Sequence, residues 1–195
     1  MKRTDIINHL IDKYNYSTYL EIGVQKSQNN FKAVKAPIKE GVDPNVECTY
    51  KMTSDQFFRS IPEDKMYDLI FIDGLHLEDQ ALRDIENSLK HLNPSGIIVV
   101  HDCNPPARKY QRKRPPLKGI WPGTVWRAIA KLRMMRKDIF ICVVDTDWGC
   151  GIIKRGSQKP FTPHVKNPVI NYCFLKKYRK KLLNLVSIEE FYQIG

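Results

Sequence analysis

The stretch that decides the fold is Tyr67-Asp68-Leu69-Ile70-Phe71-Ile72-Asp73-Gly74-Leu75-His76, an apolar run that ends in polar residues. The run is apolar on both faces of an extended chain, as expected for a central strand of a parallel sheet. A helical pattern over 78–92 follows it, and a second apolar run over 97–102 ends in His101 and Asp102. Strand, helix and strand in this order predict a parallel β-α-β unit.

The same alternation continues on both sides of this unit. Helical spacing of apolar residues predicts further helices over 4–14, 54–60 and 124–135. Extended apolar runs predict further strands over 18–24, 39–43, 47–52, 139–145 and 150–154. The predicted N-caps are Thr4 or Asp5, Thr53 or Ser54, and Thr124. The chain therefore predicts an α/β fold with a mostly parallel sheet, closed by a C-terminal antiparallel hairpin that forms its edge.

Length and composition fit one main domain. With 195 residues, of which 42% are hydrophobic, we expect an α/β domain over 1–156 and a basic C-terminal extension over 157–195 with a helix from Lys176. No apolar run approaches the ~20 residues of a membrane helix, and the first residues lack the apolar core of a signal peptide, so a cytoplasmic location is expected. The five cysteines form no CxxC pair, which argues against a zinc site or a disulfide framework.

Charge is distributed unevenly along the chain. Residues 1–100 carry 12 Lys and Arg against 15 Asp and Glu, whereas residues 101–195 carry 20 against 6. Six of these cations lie in the proline-rich stretch 103–119, directly after a predicted strand. Such a loop favours an anionic small-molecule partner, for example a phosphorylated or nucleotide-linked sugar, although a solvated basic surface remains an alternative.

Four predicted strands end in residues that suit a nucleoside ligand. In parallel sheets, ligands bind beyond the carboxyl ends of the strands. Glycine at a strand end lets the backbone approach a ligand, and an acid about 20 residues later can accept hydrogen bonds from two ribose hydroxyls. Glu21-Ile22-Gly23-Val24 and Asp43 have this relationship, and Asp73 to His76 and His101-Asp102 end the next two buried strands.

Over residues 15–155 these motifs resemble the class I, S-adenosylmethionine-dependent methyltransferases, and within them methyltransferase family 24, which includes sugar O-methyltransferases. The resemblance implies a Rossmann-like, seven-stranded sheet and S-adenosylmethionine as cofactor. It implies a general base at His76, a catalytic role for Asp73 and magnesium ligands at Asp73 and Asp102. His101, at the end of the next strand, is a second candidate for the base. The cofactor-binding positions that the resemblance implies are Glu21, Gly23, Val24, Asp43, Ser54, Asp55 and Asp73.

The sequence departs from this family at two places. Ser27 stands where a second glycine is common, and Cys103 stands where catechol-type relatives carry an asparagine. Asn104 is adjacent, and Asp84 is a further oxygen donor that could complete a magnesium shell.

Two other function classes stay open. The basic C-terminal half and the cluster Lys176–Lys181 are typical of nucleic-acid binding, with or without methylation, because phosphate neutralisation drives such affinity. The departures at Ser27 and Cys103 would also suit a non-catalytic binding protein with a methyltransferase fold.

Overall fold

A computed structural model describes residues 1–25, 30–165 and 168–194. Ser27, one of the two departures from the family pattern, lies outside the described residues. Six α-helices and seven strands are assigned in the described part. In chain order they are α1 (Arg3–Tyr14), β1 (Thr18–Ile22), β2 (Ile38–Val42), α2 (Ser54–Ser60), β3 (Tyr67–Ile72), α3 (Glu78–Lys90), β4 (Leu92–Val100), α4 (Val125–Met135), β5 (Ile139–Val144), β6 (Cys150–Arg155), α5 (Tyr172–Leu183), β7 (Leu185–Val186) and α6 (Ile188–Ile194).

The strands form one sheet in the order β2-β1-β3-β4-β6-β5-β7. Strands β2, β1, β3 and β4 are parallel, and β6 is antiparallel to both of its neighbours, β4 and β5. The predicted α/β architecture with a mostly parallel, seven-stranded sheet and a C-terminal hairpin is confirmed.

Two details of the predicted sheet are wrong. Residues 47–52 do not form a strand, and only an isolated bridge joins Tyr50 to Val42. The β5–β6 hairpin is not the edge of the sheet either, because β7 pairs in parallel with β5 outside it. β7 has only two residues, too few to show a strand periodicity in the sequence.

Helices cover both faces of the sheet. On one face, α3, α4 and α5 bury residues such as Ile85, Ile129 and Leu183, and on the other, α1 and α6 bury residues such as Leu10 and Phe191. The C-terminal segment thus packs on the same sheet as the rest of the chain. No helix in the described part combines the length and apolarity that a membrane crossing requires.

Local boundaries show where tertiary contacts override sequence signals. β4 begins at Leu92 instead of 97, since Leu92 pairs with Tyr67 and the chain stays extended through Pro94. Neither Thr4 nor Asp5 is the N-cap of α1, which starts at Arg3, and the Asp5 carboxylate instead accepts a hydrogen bond from the Lys2 amide.

The predicted caps of α2 and α4 have different outcomes. Thr53 caps α2, as its hydroxyl accepts a hydrogen bond from the Gln56 amide. Thr124 precedes α4 as predicted, but its hydroxyl makes no capping bond there. It accepts from the Glu78 amide at 2.8 Å, and so caps α3. One threonine therefore ties the segment before α4 to the segment that follows β3.

Candidate cofactor and active site

The turn after β1 brings two strand ends together at Gly23. Its φ of +89° lies in the region that favours glycine, and a Cβ there would lie 2.3 Å from the backbone oxygen of Asp73. The Gly23 amide donates to the Val42 oxygen at 2.8 Å. A side chain at position 23 would therefore separate the ends of β1 and β3 and fill the space above them.

Asp43 follows β2 and is 5% exposed. Its two carboxylate oxygens accept hydrogen bonds from the amides of Gln25 and Asn45, each at 2.8 Å. These bonds fix the orientation of the carboxylate at the mouth of the cleft. Each oxygen keeps a second lone pair, so the group can still accept from a diol.

Two adjoining cavities, of about 410 and 390 Å³, open beyond these strand ends. They share Gly23, Asp43 and Asp73 among their lining residues. One cavity is mainly apolar, and the other, called the polar cavity below, has slightly more polar than apolar lining. The apolar cavity is lined among others by Ile22, Val42, Pro44, Ser54, Asp55 and Leu75, and the polar cavity by Arg3, Glu21, Val24 and Asn30. This arrangement fits a nucleoside that carries an amino-acid chain. It combines a glycine at the floor, a carboxylate where the cavities meet, and one apolar and one polar compartment.

Ser54 and Asp55 line the apolar end of this cleft. The Gln80 side-chain amide donates to both of them at 3.1 Å and to Asp84 at 3.0 Å. Asp84 is therefore turned toward Gln80, and it does not belong to the carboxylate and imidazole cluster described below.

Glu21 lies beneath the polar cavity and is 1% exposed. Its carboxylate accepts hydrogen bonds from the Tyr19 hydroxyl and from the Asn30 amide. Burial raises the pKa of Glu21 to about 7, although both hydrogen bonds act in the opposite direction. Both hydrogen bonds reach the same carboxylate oxygen, Oε2.

Asp73, His76 and Asp102 converge at the ends of β3 and β4. Nε2 of His76 lies 3.2 Å from Oδ1 of Asp73, and Nδ1 lies 3.1 Å from Oδ2 of Asp102. Nδ1 also donates to the Trp121 carbonyl. Burial disfavours a charged imidazole, but Asp73 and Asp102 outweigh it and raise the pKa of His76 to about 9.

A second charged group adjoins this cluster on its inner side. The His101 ring lies 3.3 Å from Asp73 and 3.6 Å from Asp147. Burial opposes its charge, yet Asp102, Asp147 and Asp73 together raise the pKa of His101 to about 11. Arg3 donates from Nη1 to Asp73 at 3.1 Å. Three cationic groups and three carboxylates thus neutralise one another.

The sequence did not single out Arg3 or Asp147. Arg3 belongs to α1, 70 positions from Asp73, and no local pattern signals such a contact. Asp147 lies in the β5–β6 turn, and its φ of +44° is uncommon for a residue other than glycine. This left-handed conformation occurs in a turn whose aspartate carboxylate faces Arg3 and His101, a contact that becomes visible only in three dimensions.

The donor set does not fit Mg²⁺ in this arrangement. Magnesium prefers an octahedron of oxygen ligands, whereas one of the three groups here is an imidazole. Nδ1 of His76 donates to the Trp121 carbonyl, and Nε2 faces Oδ1 of Asp73 at 3.2 Å, so the ring occupies the space between the carboxylates. A cation held by Asp73 and Asp102 would have to displace the His76 ring, which lies 3.2 Å from one carboxylate and 3.1 Å from the other.

Neither residue after Asp102 replaces the missing asparagine. Cys103 is fully buried, and its sulfur lies 3.2 Å from the Val100 oxygen. The Asn104 amide donates to Asp145 at 2.9 Å and accepts from Arg179. Both side chains are thus turned away from Asp73.

A segment that precedes α4 covers His76. The Trp121 ring stacks on the His76 ring with centroids 5.4 Å apart. The Thr124 amide donates to the His76 carbonyl at 2.9 Å. The loop that leads to this cover carries six cations, all exposed: Arg108, Lys109, Arg112, Lys113, Arg114 and Lys118.

Comparison with known proteins agrees with this architecture. Residues 8–103 match the family Methyltransf_24, described as a methyltransferase domain. A methyltransferase from Podospora anserina with bound S-adenosylhomocysteine is similar at TM-score 0.55 and 16% identity, over 80% of this chain and 78% of that chain. An O-methyltransferase from Bacillus cereus, also bound to S-adenosylhomocysteine, is similar at TM-score 0.55 and 14% identity, over 77% and 79%. No curated protein matches the chain in sequence.

The fold is that of the class I methyltransferases. Residues 8–103, just under half of the chain, match the methyltransferase domain of family 24, and the sheet continues beyond the matched residues through β7.

Proposed function

We propose that this protein transfers a methyl group from S-adenosylmethionine to a hydroxyl group of a small, negatively charged acceptor, such as a phosphorylated or nucleotide-linked sugar. The observation that carries the proposal is that the nucleoside-shaped cleft ends at Asp73, which lies 3.2 Å from His76. A cofactor in this cleft would place its reactive end next to a titratable imidazole.

The cofactor roles follow from the compartments of the cleft. Asp43 accepts hydrogen bonds from the ribose hydroxyls, and Gly23 and Val24 form the floor below them. Ser54 and Asp55 contact the adenine at the apolar end. Glu21 and Asp73 line the compartment for the amino-acid chain. When bound, S-adenosylmethionine supplies an electrophilic methyl group on a sulfonium.

His76 acts as the general base through Nε2. The Trp121 carbonyl can only accept, so it holds a proton on Nδ1, and the lone pair of the neutral ring then lies on Nε2. Nε2 of His76 and Oδ1 of Asp73 are both buried and face each other at 3.2 Å. An acceptor hydroxyl beside them can give its proton to Nε2, and the adjacent carboxylates stabilise the resulting imidazolium. His101 stays a second candidate for this role.

The exposed cations of the loop 108–118 support an anionic acceptor. Their side chains form no ion pair with any residue in the described ranges, and the loop ends at the segment that covers His76. Charge-assisted hydrogen bonds from arginine and lysine are the usual means of holding phosphate groups.

A transfer assay tests this proposal. The protein is incubated with S-adenosylmethionine and matched pairs of phosphorylated and neutral sugars, and methylated product is measured by mass spectrometry. We expect product with phosphorylated acceptors and a loss of about 100-fold or more in rate for His76→Asn, whose smaller polar side chain cannot act as a base. Equal rates for His76→Asn and wild type would refute the base assignment.

Nucleic acid is the second candidate acceptor or ligand. The cations of the loop and those of α5, such as Lys176 and Lys177, are exposed, which suits a phosphate backbone. Binding to RNA or DNA that falls steeply with salt would favour this alternative over the small-molecule acceptor.

A further inference from the structure

Arg3 is the sole cation among the described residues that line the two cavities of the cleft. It lies in the polar cavity with Glu21, Asn30 and Asp73. Every other charged residue on the described wall is a carboxylate. A negatively charged part of a ligand in this cleft therefore has one charged partner available.

The guanidinium of Arg3 is held in place from two sides. Nη1 donates to Asp73 at 3.1 Å and lies 2.8 Å from Nδ1 of His101, and Nε lies 3.6 Å from the carboxylate of Asp147. The backbone amide of Arg3 also donates to Asp147 at 2.9 Å. Nη2 makes no hydrogen bond to any described residue, and the side chain is 31% exposed. A fixed guanidinium with free N–H groups costs little reorganisation when it binds an anion.

The shape of the cleft determines which part of the cofactor reaches Arg3. If Asp43 binds the ribose at the junction and the apolar cavity holds the base, the amino-acid chain must enter the polar cavity. That chain ends in an ammonium and a carboxylate. The ammonium finds carboxylates there, whereas the carboxylate needs a cation.

We propose that Arg3 binds the α-carboxylate of the methionine portion of S-adenosylmethionine, and so makes the site specific for a ligand with an intact amino-acid chain. This inference rests on the proposed methyltransferase function. It assigns a cofactor role to an N-terminal helix that lies outside the strand-end motifs.

Calorimetric titration with three ligands tests the assignment. The ligands are S-adenosylhomocysteine, its decarboxylated analogue, which keeps the amine, and 5′-methylthioadenosine, which lacks the whole amino-acid chain. We expect Arg3→Ala to weaken binding of S-adenosylhomocysteine by about 10- to 100-fold, the usual value of hydrogen bonds to a charged group. Binding of the other two ligands should change by less than about threefold, since they have no carboxylate to lose.

Two further variants separate binding from structure. Arg3→Lys keeps the charge and should restore part of the affinity for S-adenosylhomocysteine, and Lys2→Ala removes the neighbouring exposed cation and should change nothing. An equal loss for all three ligands in Arg3→Ala, or no loss for any, would overturn the assignment while leaving the cofactor site intact. If wild type binds none of the three, the proposed function fails, and the role of Arg3 fails with it.

Discussion

Gly123 lies so close to His76 that a Cβ at position 123 would stand 1.9 Å from the His76 carbonyl oxygen. The φ of Gly123 is +62°, and the next amide, that of Thr124, donates to the same carbonyl. The segment that covers His76 is therefore hydrogen-bonded to the His76 backbone and packed tightly against it. A displacement of one should displace the other.

Gly123→Ala should destabilise the protein and slow methyl transfer. The added methyl group has to displace the backbone of His76, and we expect a loss of about 1–3 kcal/mol in unfolding free energy. Urea denaturation measures this loss. Gly119→Ala is the matched control, because Gly119 also has a positive φ but a Cβ there would meet nothing within 4 Å. Equal losses for both variants would show that the contact between Gly123 and His76 is not tight.

The rate of methyl transfer should rise with pH into the alkaline range. A base must be unprotonated to accept a proton, and Asp73 and Asp102 raise the pKa of His76 to about 9 against the effect of burial. We expect kcat/KM to increase about tenfold per pH unit below 9 and to level off above it. Asp102→Asn removes one of the two carboxylates that raise the pKa of His76. In this variant, the rising limb of the pH–rate profile should shift from about pH 9 toward pH 6.5. A limb that stays in place in this variant contradicts the assignment.

The same pairing makes stability pH-dependent in the opposite sense. The pKa of His76 is higher in the folded protein than its ordinary value of 6.5. Its contribution to the unfolding free energy is therefore complete below pH 6.5 and disappears as the pH rises through about 9. His76→Asn should therefore flatten the decline of unfolding free energy between pH 7 and 10, as followed by urea denaturation. An unchanged decline would show that His76 is not held in its charged form by the two carboxylates.

Methyl transfer should survive removal of divalent cations. The imidazole of His76 lies between Asp73 and Asp102, the two residues that the family resemblance implies would hold magnesium. We expect the rate to change by less than about twofold after treatment with a chelator, because no metal is needed to neutralise these carboxylates. A chelator-sensitive rate that Mg²⁺ restores would instead support the metal site implied by the family resemblance.

Removing cations from the loop 108–118 should weaken binding of the acceptor and leave binding of the cofactor unchanged. Arg112 and Arg114 are exposed, and each should contribute up to a fivefold change in the KM of a phosphorylated acceptor, the range of solvent-exposed ion pairs. We expect the double serine variant to raise that KM and to leave the affinity for S-adenosylhomocysteine unchanged. Kinetics with a neutral acceptor provide the control, and a rise of its KM by the same factor would argue for a general change of the loop.

Much of the fold and the cleft could be predicted because its signals are local. The buried runs that form β3 and β4 are continuous in the sequence, and the polar residues after them, such as Asp73 and His76, are adjacent to those runs. The carboxyl ends of parallel strands lie at one edge of the sheet, so the proximity of these residues can be predicted from the sequence.

The features that sequence reasoning missed depend on contacts between distant parts of the chain. Arg3 and Asp147 join the cluster only because α1 and the β5–β6 turn pack at the same edge of the sheet. β7 is too short to show a period, and the role of Thr124 as a cap for α3 links segments 46 positions apart. The turn of Asn104 toward Arg179 likewise follows from the packing of α5.

The most direct test of the account is calorimetric titration of the protein with S-adenosylhomocysteine, repeated with Asp43→Ala. We predict micromolar binding to the wild type and a loss of about 1–3 kcal/mol in the variant, because the carboxylate of Asp43 would no longer accept from the ribose hydroxyls. Asp12→Ala, which alters an exposed ion pair on α1, should bind like the wild type. Absence of binding to the wild type would contradict the account, whereas equal binding by wild type and Asp43→Ala would place the cofactor elsewhere.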